Sequence, residues 1–121
     1  MFKERSMSDI EKIQGRIVDF RDAREWKQFH NPKDLAISLT LEAAELLEHF
    51  QWKSQQEMEE YVVSHREEIS EEIADVLYWV LLMSHDLKID VIEALSRKMD
   101  INEAKYPEDK AKGNHKKYTD L

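Results

Sequence analysis

The chain has 121 residues and a formal net charge of −8, from 26 acidic and 18 basic residues, with two glycines, two prolines and no cysteine. This length predicts one domain over residues 1–121, and the absence of cysteine excludes disulfides, thiolate metal sites and cysteine nucleophiles. So few glycines exclude Gly-rich phosphate loops, sparse turn residues argue against an all-β fold, and the negative charge disfavours a nucleic-acid duplex as partner.

The opening MFKERSMSDI has no apolar signal-peptide core. The longest uncharged apolar run, Val76 to Met83, is too short to span a bilayer. A soluble cytoplasmic protein without a membrane partner is the expectation. Ser8 and Glu11 form a capping box, and Ile10, Ile13, Ile17 and Phe20 follow at helical spacing, so a first helix is predicted over residues 8–24. Glu25 to Asn31 lacks periodicity and reads as a loop. Asn31-Pro32 is an N-cap followed by proline at the first helical position. The second helix runs from there to Phe50, with Leu35, Leu39, Ala43, Leu46, Leu47 and Phe50 as its stripe. Gln51-Trp52-Lys53 breaks it. Ser54 and Glu57 open a short third helix carrying Met58, Tyr61 and Val62.

A fourth helix is predicted from Ser64 or His65 to Leu87, striped by Ile69, Ile73, Val76, Val80, Met83 and Leu87. Between Val76 and Met83 apolar residues go right round it, which predicts burial on all sides and, in so small a domain, against another subunit. Asp90 caps a fifth helix, with Ile92, Leu95, Met99, Asn102 and Tyr106 on its stripe, and Pro107 ends it. The polar tail 108–121 and the first seven residues are expected to be flexible. The fold class is all-α, a bundle of four to five helices completed by oligomerisation.

Residues 42–75 hold 11 acidic and 2 basic side chains, a net of −9, so the acidity of the whole chain is local to this stretch. Within them, Glu42-Ala-Ala-Glu45 and Glu72-Ile-Ala-Asp75 each place two carboxylates three residues apart, roughly 60° apart on one helix face. Packed antiparallel, the two helices would gather four carboxylates. Such a cluster is costly unless a cation or protons compensate, and oxygen-only donors suit Mg²⁺ or Mn²⁺. A shared metal site and a solvated surface charge are both open for Glu42, Glu45, Glu72 and Asp75.

Lys98 precedes Asn102 by one turn on the fifth helix, a pairing that suits phosphate or sugar, although a buried amide on that stripe also reads as core. Trp26 and Trp52 lie at loops or helix ends, where base stacking is easily built, and Trp79 follows Asp75 by one turn; each also fits a core role. His30 is a loop histidine. No histidine has a glutamate three residues before it, which argues against a di-iron carboxylate bundle.

These residues resemble the MazG-like, all-α nucleoside triphosphate pyrophosphohydrolases, and most closely their dCTP pyrophosphatase branch. The likeness rests on Arg24-Glu-Trp-Lys-Gln-Phe-His-Asn-Pro32, Glu42-Ala-Ala-Glu-Leu-Leu-Glu-His-Phe-Gln-Trp52, Glu71-Glu-Ile-Ala-Asp-Val76, Lys98-Met-Asp-Ile-Asn102, Lys105-Tyr-Pro107 and Lys117-Tyr-Thr-Asp-Leu121, in that order. Tryptophan stands at position 79, where those relatives carry tyrosine, and Ala43-Ala44 replaces a Val-Gly pair. The resemblance implies that Glu42, Glu45, Glu72 and Asp75 hold Mg²⁺, with Mn²⁺ as an alternative, and carry the catalysis. It implies that Trp26, His30, Trp52 and Trp79 line a nucleoside pocket, and that Lys98 and Asn102 contact phosphate or sugar. The implied reaction is Mg²⁺-dependent cleavage of a (deoxy)nucleoside triphosphate, dCTP or a modified dCTP, to monophosphate and pyrophosphate, clearing unwanted nucleotides. The implied assembly is a homo-oligomer, a tetramer in preference to a dimer. The rival reading is a non-catalytic helical oligomerisation module with an acidic face.

Overall fold

The computed structural model describes residues 6–121, and among them every regular element is helical. The order is α1 (Asp9–Ala23), a 3₁₀ turn (Lys27–Phe29), α2 (Pro32–Glu48), α3 (Gln55–Ser64), α4 (Arg66–Asp86), α5 (Val91–Lys105), α6 (Glu108–Ala111) and a 3₁₀ turn (Tyr118–Asp120). The expectation for the first seven residues falls mostly outside the described residues.

The helix starts follow from local chemistry. The Ser8 Oγ accepts from the Glu11 N–H at 3.2 Å, and the Asn31 Oδ1 accepts from the Asp34 N–H at 2.8 Å, ahead of Pro32. Ser54 and Glu57 exchange both bonds of a capping box at 3.2 Å, and the Asp90 Oδ1 accepts from the Glu93 N–H at 3.1 Å. Each such cap stabilises its helix by ~1 kcal/mol. The stops are left-handed residues: Glu25 after α1, Trp52 after α2 and Lys88 after α4 have φ of 56°, 71° and 57°.

The chain divides into two compact units, one running to Lys88 and one from Ile89 to Leu121. In the first, α4 is the central helix and packs against α1, α2 and α3. Leu35 of α2 and Leu81 and Leu82 of α4 are fully buried, and Ile69 nearly so. This corrects one expectation in detail. Leu81 and Leu82, read as candidates for burial against another subunit, are covered by the chain itself. The open apolar side of α4 is instead Ile73 and Leu77.

The inward face of α1 is also not the one its apolar periodicity suggests. Ile13 and Phe20 are substantially exposed, while Arg21 is 0% exposed. Polar partners on α4 account for this. The Gln14 Nε2 donates to the Leu81 carbonyl at 2.8 Å and to the Ser84 Oγ at 3.2 Å. The Arg21 Nη1 pairs with the Asp86 Oδ2 and its Nε with the Asp22 Oδ1. In the second unit, the tail read as loop carries a helical turn at α6, opened by Pro107 and the acids Glu108 and Asp109. Tyr118 packs edge-on to Tyr106 and under the Lys105 ammonium, 4.7 Å from the ring centre.

Candidate metal and nucleotide site

The α2–α4 contact brings Glu42, Glu45 and Glu72 together, with one oxygen of each within 4.8 Å of the others. Glu42 and Glu72 are half-buried, Glu45 is exposed, and the Oε2 atoms of Glu42 and Glu72 are buried without a hydrogen-bond partner. Burial pushes the Glu42 carboxyl up to about 7, reinforced by its hydrogen bond with Glu45 and by the charges of Asp75, Glu45 and Glu72. Glu72 is raised as well, first by burial, then by the charge and hydrogen bond of Glu45 and the charge of Asp75. Glu42 is repelled most by Asp75 and Glu72 most by Glu45, the pairing expected of antiparallel helices. Asp75 thus stands at the edge of the group, within electrostatic reach but outside the tight set of three.

The donor chemistry fits a divalent cation. All the ligands are carboxylate oxygens, as Mg²⁺ and Mn²⁺ prefer, and two of them are buried acceptors that no protein donor satisfies. Glu42, Glu45 and Glu72 could hold such an ion directly, with Asp75 next to them.

Three of the four aromatic residues singled out from sequence belong to one run of ring contacts. His30 meets Trp79 edge-on at 5.6 Å, Trp79 meets Tyr78 at 5.0 Å, Tyr78 meets Phe20 at 6.4 Å and Phe20 meets Trp26 at 5.7 Å. Beside this run, Ile13, Arg16, Ile17, Phe20 and Tyr78 line an open apolar groove of 180 Å³. Burial, followed by the Arg21 charge, lowers the His30 imidazole, which favours its neutral form. Trp52 is not part of the run. It sits in the left-handed turn after α2 and is 92% exposed. Lys98 and Asn102 lie one turn apart on α5 in the second unit, Lys98 exposed and Asn102 half-buried.

Sequence reasoning missed Tyr78 and Phe20 as links in the ring run, and Arg21 and Asp86, whose charges both reach His30. Gln14 and Arg21, seven residues apart on one face of α1, were the available signal.

Three clustered carboxylates and a run of ring contacts from His30 to Trp26 lie in one all-helical unit. The MazG-like family model matches residues 37–121. Human dCTP pyrophosphatase 1 is 36% identical over 120 residues, 98% of this chain and 69% of the human protein. The mouse protein of the same name is 35% identical over the same shares. The crystal structure of a pyrophosphatase from Archaeoglobus fulgidus matches with a TM-score of 0.81 and 42% identity, over 88% of this chain and 99% of that one. The chain belongs to the MazG-like family, its all-α fold agrees with that family, and its likeness to the dCTP pyrophosphatase branch spans nearly its whole length.

Proposed function

We propose that the chain is an enzyme, a nucleoside triphosphate diphosphatase that cleaves a (deoxy)nucleoside triphosphate between the α and β phosphates. The observation that carries this reading is the three-carboxylate centre with two unsatisfied buried oxygens, set in a chain whose relatives are named pyrophosphatases. The substrate is dCTP or a modified dCTP, and the role is nucleotide house-cleaning in the cytoplasm. Among the described residues no helix is long and apolar enough to cross a membrane. Duplex nucleic acid is no partner of so acidic a chain.

Glu42, Glu45, Glu72 and Asp75 hold Mg²⁺, or Mn²⁺ in its place. Bound there, the ion would neutralise phosphate charge and lower the pKa of the attacking water. One of the four carboxylates takes the proton that this water gives up as it adds across the α–β anhydride. Trp26, His30 and Trp79 line the nucleoside pocket, Trp52 is free to close over a base, and Lys98 and Asn102 contact phosphate or sugar. The active form is a homo-oligomer, a tetramer in preference to a dimer. Support comes from apolar side chains left open on two helices: Ile37 and Leu41 on α2, Ile73 and Leu77 on α4.

The test is release of pyrophosphate and monophosphate from dCTP in Mg²⁺, abolished by EDTA and by Asp75→Asn with helicity intact. A nucleotide panel at equal concentration fixes the base. Pyrophosphate from no nucleotide at all would leave the oligomerisation module as the better reading.

A further inference from the structure

We propose that α5 of a second copy of the chain docks on α2 and carries its Lys98 and Asn102 to the edge of the carboxylate centre, so that two chains complete each site. The inference rests on the oligomer and phosphate-contact readings above and deepens both by naming the helix that joins the copies. Two apolar stripes motivate it. Ile37 and Leu41 stand at i and i+4 on α2, and Ile92, Leu95 and Met99 at i, i+3 and i+7 on α5. All five are between 46% and 59% exposed, so the single chain covers neither stripe. The second unit, from Ile89 to Leu121, contains no buried residue. Units below ~40 residues are held together by disulfides, metals or association. The chain has no cysteine, and the one acidic cluster among the described residues lies in the first unit. Association is what remains.

The stripe on α2 leads directly into the centre. Ile37, Leu41 and Glu45 form one ridge at i, i+4 and i+8, and Glu42 follows Leu41 in the chain. A helix laid along this ridge reaches Glu45. The stripe on α5 has a polar rim of its own. Lys98 is three residues after Leu95 and Asn102 three after Met99, so burying Leu95 and Met99 leaves both polar residues at one edge of the contact. Glu103, four residues after Met99, borders the stripe on its other side. Charge selects which edge meets the centre. Residues 42–75 carry a net of −9, which repels Glu103 and attracts Lys98. Among the described residues Lys98 makes no ion pair, whereas its neighbour Arg97 stands 3.8 Å from Glu93. A two-fold axis would repeat the contact, with α5 of each copy on α2 of the other, and one isologous interface would cover both stripes of both chains.

The chemistry gained on docking is a positive charge. The centre itself offers only carboxylates, with Glu45 its exposed member. The partner's Lys98 brings an ammonium with three donors to the Glu45 edge, where it would face the phosphates of a triphosphate held through a cation. The partner's Asn102, one turn further along the same edge, supplies an amide donor and acceptor for phosphate or a sugar hydroxyl. A lone chain would hold the acids without that counterpart.

The test has one arm without activity and one with it. The chain has no cysteine of its own, so Leu41→Cys and Leu95→Cys chains, co-expressed and treated with a short bis-maleimide, should give a covalent dimer that peptide mass spectrometry shows joined from 41 to 95. Val63→Cys, exposed on α3, should give no such dimer with either. In the second arm, Glu45→Gln and Lys98→Ala should each lower dCTP turnover by ~10-fold or more when pure, with helicity intact by circular dichroism. Co-expressed, the two should recover about one quarter of the parental activity, because half of the random pairs are mixed and each mixed pair holds one intact site. Absence of the 41-to-95 dimer would overturn the docking. Mixed oligomers, verified by native mass spectrometry, that recover no activity would place Lys98 in the site of its own chain and overturn the shared site. Full activity in pure Lys98→Ala would remove its role. A 41-to-95 dimer in a protein that releases pyrophosphate from no nucleotide would overturn the hydrolase reading and leave the docking of α5 on α2 standing.

Discussion

The ion pair that fastens α1 to α4 should be one of the most sensitive points in the molecule. Arg21 is 0% exposed and the Asp86 side chain 14%, while Asp22, the other partner of Arg21, is half exposed. The Asp86 hydrogen bond is the leading influence holding the guanidinium charged against its burial. Asp86→Asn would leave a buried cation facing only a solvent-screened carboxylate. Breaking a buried pair on one side costs about 3–5 kcal/mol, out of a total of about 5–15 kcal/mol for a domain of this kind. With an unfolding entropy of about 2.1 cal/mol/K per residue, a chain of 121 residues loses about 4 °C per kcal/mol, so its Tm should fall by about 12–20 °C. Replacing both partners, as Arg21→Met with Asp86→Leu, removes the stranded charge and should return the Tm to within about 4 °C of the parent. Thermal unfolding by circular dichroism at one fixed protein concentration measures all the variants. A drop of only a degree or two in Asp86→Asn, or a double variant as unstable as the single one, would refute the argument that the pair is a desolvated unit. The double variant also isolates a functional consequence. Arg21 and Asp86 both act on the His30 ring, whose Nδ1 is buried without a partner, so binding of a dCTP analogue should change even where stability does not.

Three further outcomes are expected. In the metal-free protein the folded-state pKa of Glu42 lies above its ordinary value of 4.5, at about 7, so the native state binds more protons than the unfolded one in that interval. Stability should therefore fall as pH rises from 4.5 towards 7, and thermal melts should lose this slope in saturating Mg²⁺ and in Glu42→Gln. Tryptophan fluorescence should quench when a non-hydrolysable dCTP analogue is added with Mg²⁺, since base stacking on an aromatic ring is worth about 1–3 kcal/mol; calorimetric binding without any quench would place all three tryptophans outside the nucleoside pocket. Leu77 is 46% exposed in the single chain, so Leu77→Glu should be harmless to a monomer and should dissociate an oligomer by light scattering, whereas Leu81→Glu, at 1% exposure, should unfold the chain.

Much of this fold is legible because its helix starts are written in single residues. Ser8, Asn31, Ser54 and Asp90 each sit before an apolar repeat, and each accepts the expected backbone hydrogen bond. The carboxylate centre is legible for a related reason: three-residue spacing fixes the direction of a side chain on a helix before any tertiary contact is known. Asp75 shows the limit, because spacing does not report how far two helices slide along each other, and it falls at the edge of the group. Arg21 was invisible for a different reason. Apolar periodicity assigns an arginine to water, and the partner that draws it inward lies 65 residues away on another helix. The same blindness hides that Ile13 and Phe20, on the apolar repeat of α1, are substantially exposed while Gln14 and Arg21 hold the inward face. On α4 the pattern reported that every side is apolar, without saying which side the chain covers for itself. The 3₁₀ turn at Lys27–Phe29 and the turn at α6 carry too few residues for any period to register.

The position of the carboxylates explains why the rest of the first unit is built as it is. Glu42, Glu45 and Glu72 meet across the contact of α2 with α4, so their mutual repulsion pushes apart the two helices that create the site. Something else must hold those helices in register. Leu35, Leu81 and Leu82 supply buried apolar surface, and each such side chain contributes about 1.5–3 kcal/mol. Gln14 and Arg21 add directional bonds that fix α1 on the far half of α4, next to the aromatic run. Apolar burial alone would let α4 slide, since leucines tolerate small shifts, whereas a 2.8 Å bond from Gln14 to the Leu81 carbonyl does not. Division of labour follows from this. The leucines supply the energy that offsets the acidic centre and hold α2 against α4, and the polar contacts fix α1 on α4. A divalent cation among these three carboxylates would remove the repulsion that the fold otherwise has to carry.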